Sequence, residues 1–542
     1  MVRYGVGGPI DGADSWTREL FGKRSCPTRR DSDAAANDGS FGGDTSILKV
    51  TDSATDGGGG NTETSALPDS TIDSPSGEDA DAPTADDHVE GGCTGTLAEC
   101  TGDLESGSSD AADTGADVLA ADARVEGGCT GTLVQCTDAA GCISLTNDLH
   151  NCGSCGNDCA ERAHTADGGA SCSEGQCGYT CAAGYADCTD SGDGCGTALL
   201  GDDSANCGRC GHSCQGGQCD GGICQPLTLA SQGIAYPSSL AVDATSVYWT
   251  ESADISDINT NGSVKSASIT GSSPASWSLI ANNQLDPVGI AVTTQGIFWI
   301  NAGIGGANPD GSLVWQPNRN TPAVPIGSPY ACPLAMTVTD TNIYWVNCDQ
   351  STGDHNEPLL TVPLGNPTAT PTVLVPSGIA CIQAMASGSN SLYWIQSGCF
   401  AYSGQASALA LSPLGTPANL LPSTVLSGIY PVRIAVSSAG VYFGYNPTGE
   451  TGAGTIALAP LDGGRPTTIV AIANANGVAV DSVNIYWTDF NENAVLAAPI
   501  AGGNPVTLAS DQTNPYDIVL DDTSVYWTNY SSTGLIMKVA KP

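Results

Sequence analysis

From residue 226 onward, the apolar positions fall into short bursts of four or five residues separated by turn formers. Gly477-Val478-Ala479-Val480-Asp481, a brief polar connector, and Ile485-Tyr486-Trp487-Thr488-Asp489 give the pattern in full. Bursts of this length, rich in β-branched and aromatic residues, predict strands, and two of them across a three- or four-residue connector predict a β-hairpin. The hairpin recurs with its large aromatic residue at Trp249, Trp299, Trp345, Trp394, Phe443, Trp487 and Trp527, at spacings of 50, 46, 49, 49, 44 and 40 residues. That is the period of a propeller blade. A third run such as Ala494-Val495-Leu496-Ala497-Ala498 and a fourth such as Val506-Thr507-Leu508-Ala509 complete four strands per unit. The pattern predicts an all-β, seven-bladed β-propeller, with six blades as the alternative, and places the Tyr-Trp pairs in the core between blades. The last repeat supplies only three runs, whereas Leu227-Thr228-Leu229-Ala230-Ser231 stands ahead of the first repeat and matches Val506-Thr507-Leu508-Ala509-Ser510. An orphan fourth strand and a missing one are expected to pair and close the ring.

Ahead of residue 226 the pattern disappears. Residues 1–88 contain no periodic apolar run and, from Asp31, consist of Asp, Ser, Thr, Ala and Gly, the composition of a disordered acidic tether. Residues 89–141 form a duplicated Cys-containing linker, in which Val89–Cys100 recurs almost verbatim at Val125–Cys136. Residues 142–225 form a cysteine-rich region, and 226–542 the propeller. Eighteen cysteines lie between 93 and 224, among few large apolar residues. Such a stretch cannot be held by a hydrophobic core, so disulfides are expected to stabilise it. Zinc is the competing reading, from the spacing of Cys152-x-x-Cys155 and Cys207-x-x-Cys210 with His150, His164 and His212 nearby. An oxidised scaffold implies an extracellular or cell-surface location.

Two resemblances follow from these residues. The Tyr-Trp-Thr-Asp at 486–489, with Tyr-Trp-Thr again at 248–250 and 526–528, resembles the YWTD β-propeller of low-density-lipoprotein-receptor type proteins over residues 226–542. Those receptor propellers have six blades. Asn-Cys-Gly-x-Cys-Gly-x-x-Cys, present at 151–159 and at 206–214, is similar to the motif of Stig1-like cysteine-rich proteins, also seen in secreted myxobacterial proteins, over roughly 142–224.

Charge narrows the partners. The chain carries −41 with only 16 Lys and Arg, which argues against nucleic acid and anionic membrane. Residues 226–542 account for −13 of this, leaving −28 to residues 1–225. No 18-residue apolar stretch could span a membrane, and the opening segment has no recognisable signal-peptide core. Cys26 followed by an acidic Ser/Asp/Gly tether looks like the start of a mature lipoprotein.

Chemistry is sparse in the propeller. It has one histidine, His355, and no nucleophile elbow, zinc-binding HExxH, phosphate loop or dinucleotide fingerprint. Asp243, Asp481 and Asp521 end first strands and are the recurrent acids. They either cap their turns or line a metal site of a propeller hydrolase or lactonase. Asp257, Asn259 and Asn261, followed by Gly262, match the first half of a calcium loop, with Ser268 where an acid is expected at position twelve. No cofactor is expected of the propeller, with calcium at this loop as the alternative. The hairpin register predicts disulfides Cys332–Cys348 and Cys381–Cys399. Loops joining second and third strands are long in the first five repeats. Their face is expected to bind a protein or carbohydrate through Glu251, Asp257, Trp315, Asp349, His355, Tyr402 and Tyr445, the opposite face being plain. These features favour a non-enzymatic extracellular or cell-surface binding protein that presents the propeller on a disulfide-rich stalk, with a metal-dependent propeller hydrolase or lactonase as the alternative.

Overall fold

The computed structural model describes residues 129, 131–137, 141–188, 194–252, 262–270, 276–303, 310–330, 332–347, 357–379, 382–388, 390–397, 404–421, 429–447, 454–462, 464–471 and 475–542. The tether at 1–88 and most of the 89–141 linker lie outside these residues. Among the described residues, seven four-stranded antiparallel sheets each follow the order first, second, third and fourth strand. The ring is therefore seven-bladed and the six-bladed alternative falls. The first strands are Pro237–Val242, Pro287–Thr293, Pro333–Val338, Ile382–Ser387, Ile429–Ser437, Ala475–Val480 and Pro515–Leu520. Each packs on the first strand of the next blade, and the seventh packs on the first, so the first strands surround the axis.

The bulky residues of the second strands fill the space between blades. Trp249, Trp299, Trp345, Trp487 and Trp527 are fully buried, Trp394 and Phe443 nearly so, and each sits in an apolar cluster that joins neighbouring sheets. Closure occurs as the sequence implies. Leu227–Ala230 pairs with Leu535–Ala540 as the fourth strand of blade 7, with Ala230 opposite Ile536 and Leu227 opposite Lys538.

The cysteine region is two copies of one four-disulfide module. The first pairs Cys129–Cys142, Cys136–Cys155, Cys152–Cys172 and Cys159–Cys177; the second pairs Cys181–Cys195, Cys188–Cys210, Cys207–Cys219 and Cys214–Cys224. Two of these bonds cross the boundary expected at residue 141, so Cys129 and Cys136 belong to the module and not to a linker. The two cysteines of each Cys-x-x-Cys go to different distant partners, which removes the pairing that the zinc reading needs. Gly153 and Gly208 of the repeated motif have φ of +75° and +73°, and a Cβ on either would collide with the carbonyl of Gly175 or Gly222. Only glycine fits there.

The second module is docked on the propeller and does not stand off as a stalk. Cys207, Cys214, Cys219 and Cys224 share a buried cluster with Tyr486, Val495, Val525, Trp527 and Val539 of blades 6 and 7. His212 Nε2 lies 2.8 Å from the Lys541 carbonyl, and Lys538 Nζ donates to the carbonyls of Gln215 and Ile269 at 3.1 and 3.0 Å. These contacts lie beside the turns that join first and second strands, because Lys541 N donates to Thr523 O and Lys541 Nζ pairs with Asp481 at 2.9 Å. Among the described residues no helix is long and apolar enough to cross a membrane.

Candidate functional site: the axial rim

The recurrent acids serve the hairpins. Asp521 accepts from the Thr523 and Ser524 N–H groups at 2.8 and 2.7 Å through one oxygen, and from the Tyr526 hydroxyl at 2.6 Å through the other. Asp243 does the same with Thr245, Ser246 and Tyr248, and Asp481 with Val483, Asn484 and Tyr486. Burial alone would push these carboxyls up, but the donors outweigh it and hold all three below the usual range. Burial likewise pushes the phenols of Tyr248, Tyr486 and Tyr526 above their ordinary value. The Tyr of each Tyr-Trp-Thr thus ties its own turn. The carboxylates that a metal-dependent hydrolase would draw on are committed to turns at the end of the blade opposite the long loops.

The threonine of the motif has a second task. In every blade the pairing of first and second strands slips near the start of the first strand. Bulges are tolerated here because each first strand is a sheet edge, and the prolines that open four of these strands and stand at the slip in a fifth, Pro431, remove N–H groups at that edge. Thr488 Oγ1 accepts from Gly477 N at 2.7 Å, just past the slip, and donates to the Tyr516 carbonyl of the next blade at 2.8 Å. Thr528 accepts from Asp517 N in the same way, and Thr250 lies 2.9 Å from the Ser238 hydroxyl.

The residue after the slip is Ser239, Gly289, Ala335, Ala384, Arg433 and Gly477 in blades 1 to 6, and Asp517 occupies the corresponding place in blade 7. Five of these seven are small and uncharged. Arg433 and Asp517 are the only charged residues on any of the seven first strands. The Arg433 guanidinium lies 5.4 Å from the centre of the Tyr516 ring, and Asp517 Oδ2 accepts from Leu240 N of blade 1 at 2.8 Å. Tyr516 packs on Tyr530 at 5.1 Å, which packs on Tyr236 at 5.4 Å. Between them, on blade 6, Asn476 is 2% exposed and neither atom of its amide has a hydrogen-bond partner. This group lies at the end of the blades where second and third strands are joined, since Ala475 pairs with Asp489 and Pro515 with Asn529.

Two of the residues expected from sequence, Glu251 and Trp315, are placed differently. Glu251 is buried, not a surface contact: it accepts from Trp249 Nε1 at 2.8 Å, Ser263 Oγ at 3.1 Å and Lys265 Nζ at 2.7 Å. Lys265 also donates to the Gly233 carbonyl at 2.6 Å and lies 4.1 Å from the Trp277 ring. Glu251 therefore closes a buried ion pair between the second and third strands of blade 1. Trp315 is at the wrong end of its strand, where its indole donates to the Gln295 carbonyl in the turn joining first and second strands. Tyr445 lies on the second strand of blade 5, opposite Thr455, at the expected end. Asp257, Asn259, Asn261, Asp349, His355 and Tyr402 lie outside the described residues, as do Cys348, Cys381 and Cys399. Cys332 is disulfide-bonded. Arg433, Asn476, Tyr516 and Asp517 went unnoticed, although a charge on an otherwise apolar first strand was visible in the sequence.

No family model matches this chain, and no curated protein matches it. Solved structures similar to it include a nidogen–laminin complex, at 12% identity over 45% of this chain and 88% of that chain, with a TM-score of 0.34. A streptogramin B lyase is 12% identical over 58% and 97% of the two chains, with a TM-score of 0.42. Virginiamycin B lyase from Staphylococcus aureus is 13% identical over 59% and 99%, with a TM-score of 0.43. These likenesses carry no functional argument, and the propeller assignment rests on the strand order itself.

Proposed function

We propose that this chain is a non-enzymatic extracellular or cell-surface binding protein whose propeller recognises a protein or carbohydrate partner with the face that bears the joins between second and third strands. The asymmetry of the two faces supports this reading. Joins between second and third strands take 10, 9, 9, 6 and 7 residues in blades 1 to 5, against 4 and 5 in blades 6 and 7, where the short form already completes a blade. The opposite face carries the docked disulfide module at blades 6 and 7. That face is not plain, because joins of six to nine residues between third and fourth strands share it. Eight disulfides among the described residues suit an oxidising compartment. The hydrolase alternative loses its candidate ligands to the turns. The test is to shorten 348–357 and 397–405 to the blade-7 length and measure capture of partners cross-linked at the native cell surface. The reading expects capture to be lost with the thermal midpoint retained; full capture by a folded variant removes it.

A further inference from the structure

We infer that the outer edge of blade 1, its fourth strand Ser278–Gln284, takes up an extended basic segment of a partner protein as a fifth strand. The site lies on the circumference of the ring, so it goes beyond the loop face of the proposed function and does not depend on it. In every blade the fourth strand is the outermost of its sheet, and the outward N–H and C=O groups of such an edge are a template for another strand. Six blades close the template with proline. Pro371, Pro417, Pro466, Pro505 and Pro226 stand immediately ahead of the fourth strands of blades 3 to 7, and Pro325 is the second residue of that strand in blade 2. In blade 1 the residue immediately ahead is Trp277 and the second is Leu279.

The register shows what these prolines remove. Level with the large aromatic residue of the second strand, the fourth strand places Leu279 in blade 1 and Pro325 in blade 2. The same level holds Val373, Asn419, Thr468, Thr507 and Thr228 in blades 3 to 7, each two residues after its proline. Backbone N–H groups alternate between the two sides of a strand, and a sheet admits proline where its N–H would face outward. All six prolines therefore delete an outward donor, and blade 1 keeps the donors of Trp277 and Leu279. Its edge strand is also seven residues long, with no proline and no charge, against four or five residues in blades 4 to 7. An exposed apolar side chain does not set it apart, since Val324, Val373 and Val506 are exposed on other edges as Leu279 is here; the backbone does. The start of the strand is anchored, because the Trp277 indole donates to the Gln232 carbonyl beneath Lys265. Charge selects the occupant. Residues 276–284 are uncharged and Lys265 is paired with Glu251, whereas 226–542 carries −13 and the chain −41. A second copy brings the same negative charge to the edge, and a basic segment is drawn to it. Strand addition of this kind takes its affinity from main-chain hydrogen bonds.

The experiment is fluorescence anisotropy of the full chain with a labelled synthetic peptide of alternating Lys and Val. Two controls accompany it: the same peptide N-methylated on alternate residues, and a peptide of alternating Glu and Val. The Lys-Val peptide should bind saturably and slow amide hydrogen exchange at 278–284, and both controls should bind more weakly. Leu279→Pro copies what blade 2 already carries at the same level, so it should fold with an unchanged thermal midpoint. It should weaken the Lys-Val peptide by roughly tenfold, the scale of one lost hydrogen bond. Absence of saturable binding, unchanged affinity in folded Leu279→Pro, or binding without slowed exchange at 278–284 overturns the inference. Should that variant not fold, binding of the N-methylated peptide as tight as that of the unmethylated one overturns it equally. A full-chain dimer in sedimentation that Leu279→Pro dissociates assigns the edge to a second copy and likewise overturns it. Each of these results leaves the loop-face reading standing, which the loop-shortened variant tests by itself.

Discussion

A single aspartate at each of three turns does more than shape the backbone. Asp521 satisfies two N–H groups and the phenol of the buried Tyr526, so Asp521→Ala takes away that hydroxyl's carboxylate acceptor. We expect a loss of about 2 kcal/mol in urea unfolding, the scale of leaving a buried polar group unpaired. Combining it with Tyr526→Phe should cost less than the sum of the two, because the phenyl ring needs no acceptor. The same contacts set a pH dependence. Asp243, Asp481 and Asp521 have folded carboxyl pKa values below the unfolded one, so their contribution is complete above the unfolded pKa and is lost as pH falls through the folded one. Thermal midpoints should therefore drop below about pH 4, and Asp521→Asn should flatten that drop. Asp489 runs the other way: burial raises its pKa, and its protonation on acidification does not add to the loss.

At the scale of the strand, the hairpins were legible because Tyr-Trp-Thr marks a second strand whose period-two pattern is unmistakable. The bulges were not, since an edge slip leaves the alternation of apolar residues almost unchanged. That is why Arg433 and Asp517 passed as ordinary strand residues, and why Glu251 read as a surface acid: its partner Lys265 lies one strand away and its indole donor two residues back. Trp315 was misplaced because reading from the loop alone does not reveal which end of the third strand a residue occupies. The closing strand was legible, because 227–231 repeats a fourth strand almost letter for letter. Deleting residues 226–231 should lower the thermal midpoint and expose the edge of Leu535–Ala540, measured as a concentration-dependent rise in light scattering. In blade 3 the register sets Pro333 opposite Asn347, which brings the neighbouring positions 332 and 348 to the same end of the hairpin. We expect non-reducing peptide maps to join Cys332 to Cys348 and Cys381 to Cys399; a Cys332–Cys381 peptide would contradict both.

Across the whole molecule, the second disulfide module and the ring are one body. His212 contacts the Cys207 carbonyl at 2.7 Å and the Lys541 carbonyl at 2.8 Å, and Lys538 ties Gln215 to blade 1. His212→Ala removes two polar contacts at this junction and should destabilise the chain by about 1–2 kcal/mol, seen as a lower midpoint for the propeller itself and not only for the module. If the propeller transition is unchanged, the docking is not energetically coupled to the ring. The duplicated module was legible as a repeat of Asn-Cys-Gly. Its connectivity was not, since eight or more cysteines admit over a hundred pairings that spacing does not distinguish.

The strand that seals blade 7 also sets an order of events during synthesis. Leu227–Ala230 leaves the ribosome roughly 300 residues ahead of Leu535–Ala540, which at ~5–20 residues per second is a delay on the order of tens of seconds. Throughout that interval six blades can assemble, yet the seam stays open, with a lone early strand at one end and an uncovered sheet edge at the other. The nascent chain is then at its most adhesive just before completion, and the cysteines of the second module, whose docking surface includes Val525, Trp527 and Val539, are all synthesised before that surface exists. Sealing of the ring is thus the last step, and a chaperone acting on this protein during synthesis would meet it as an open arc.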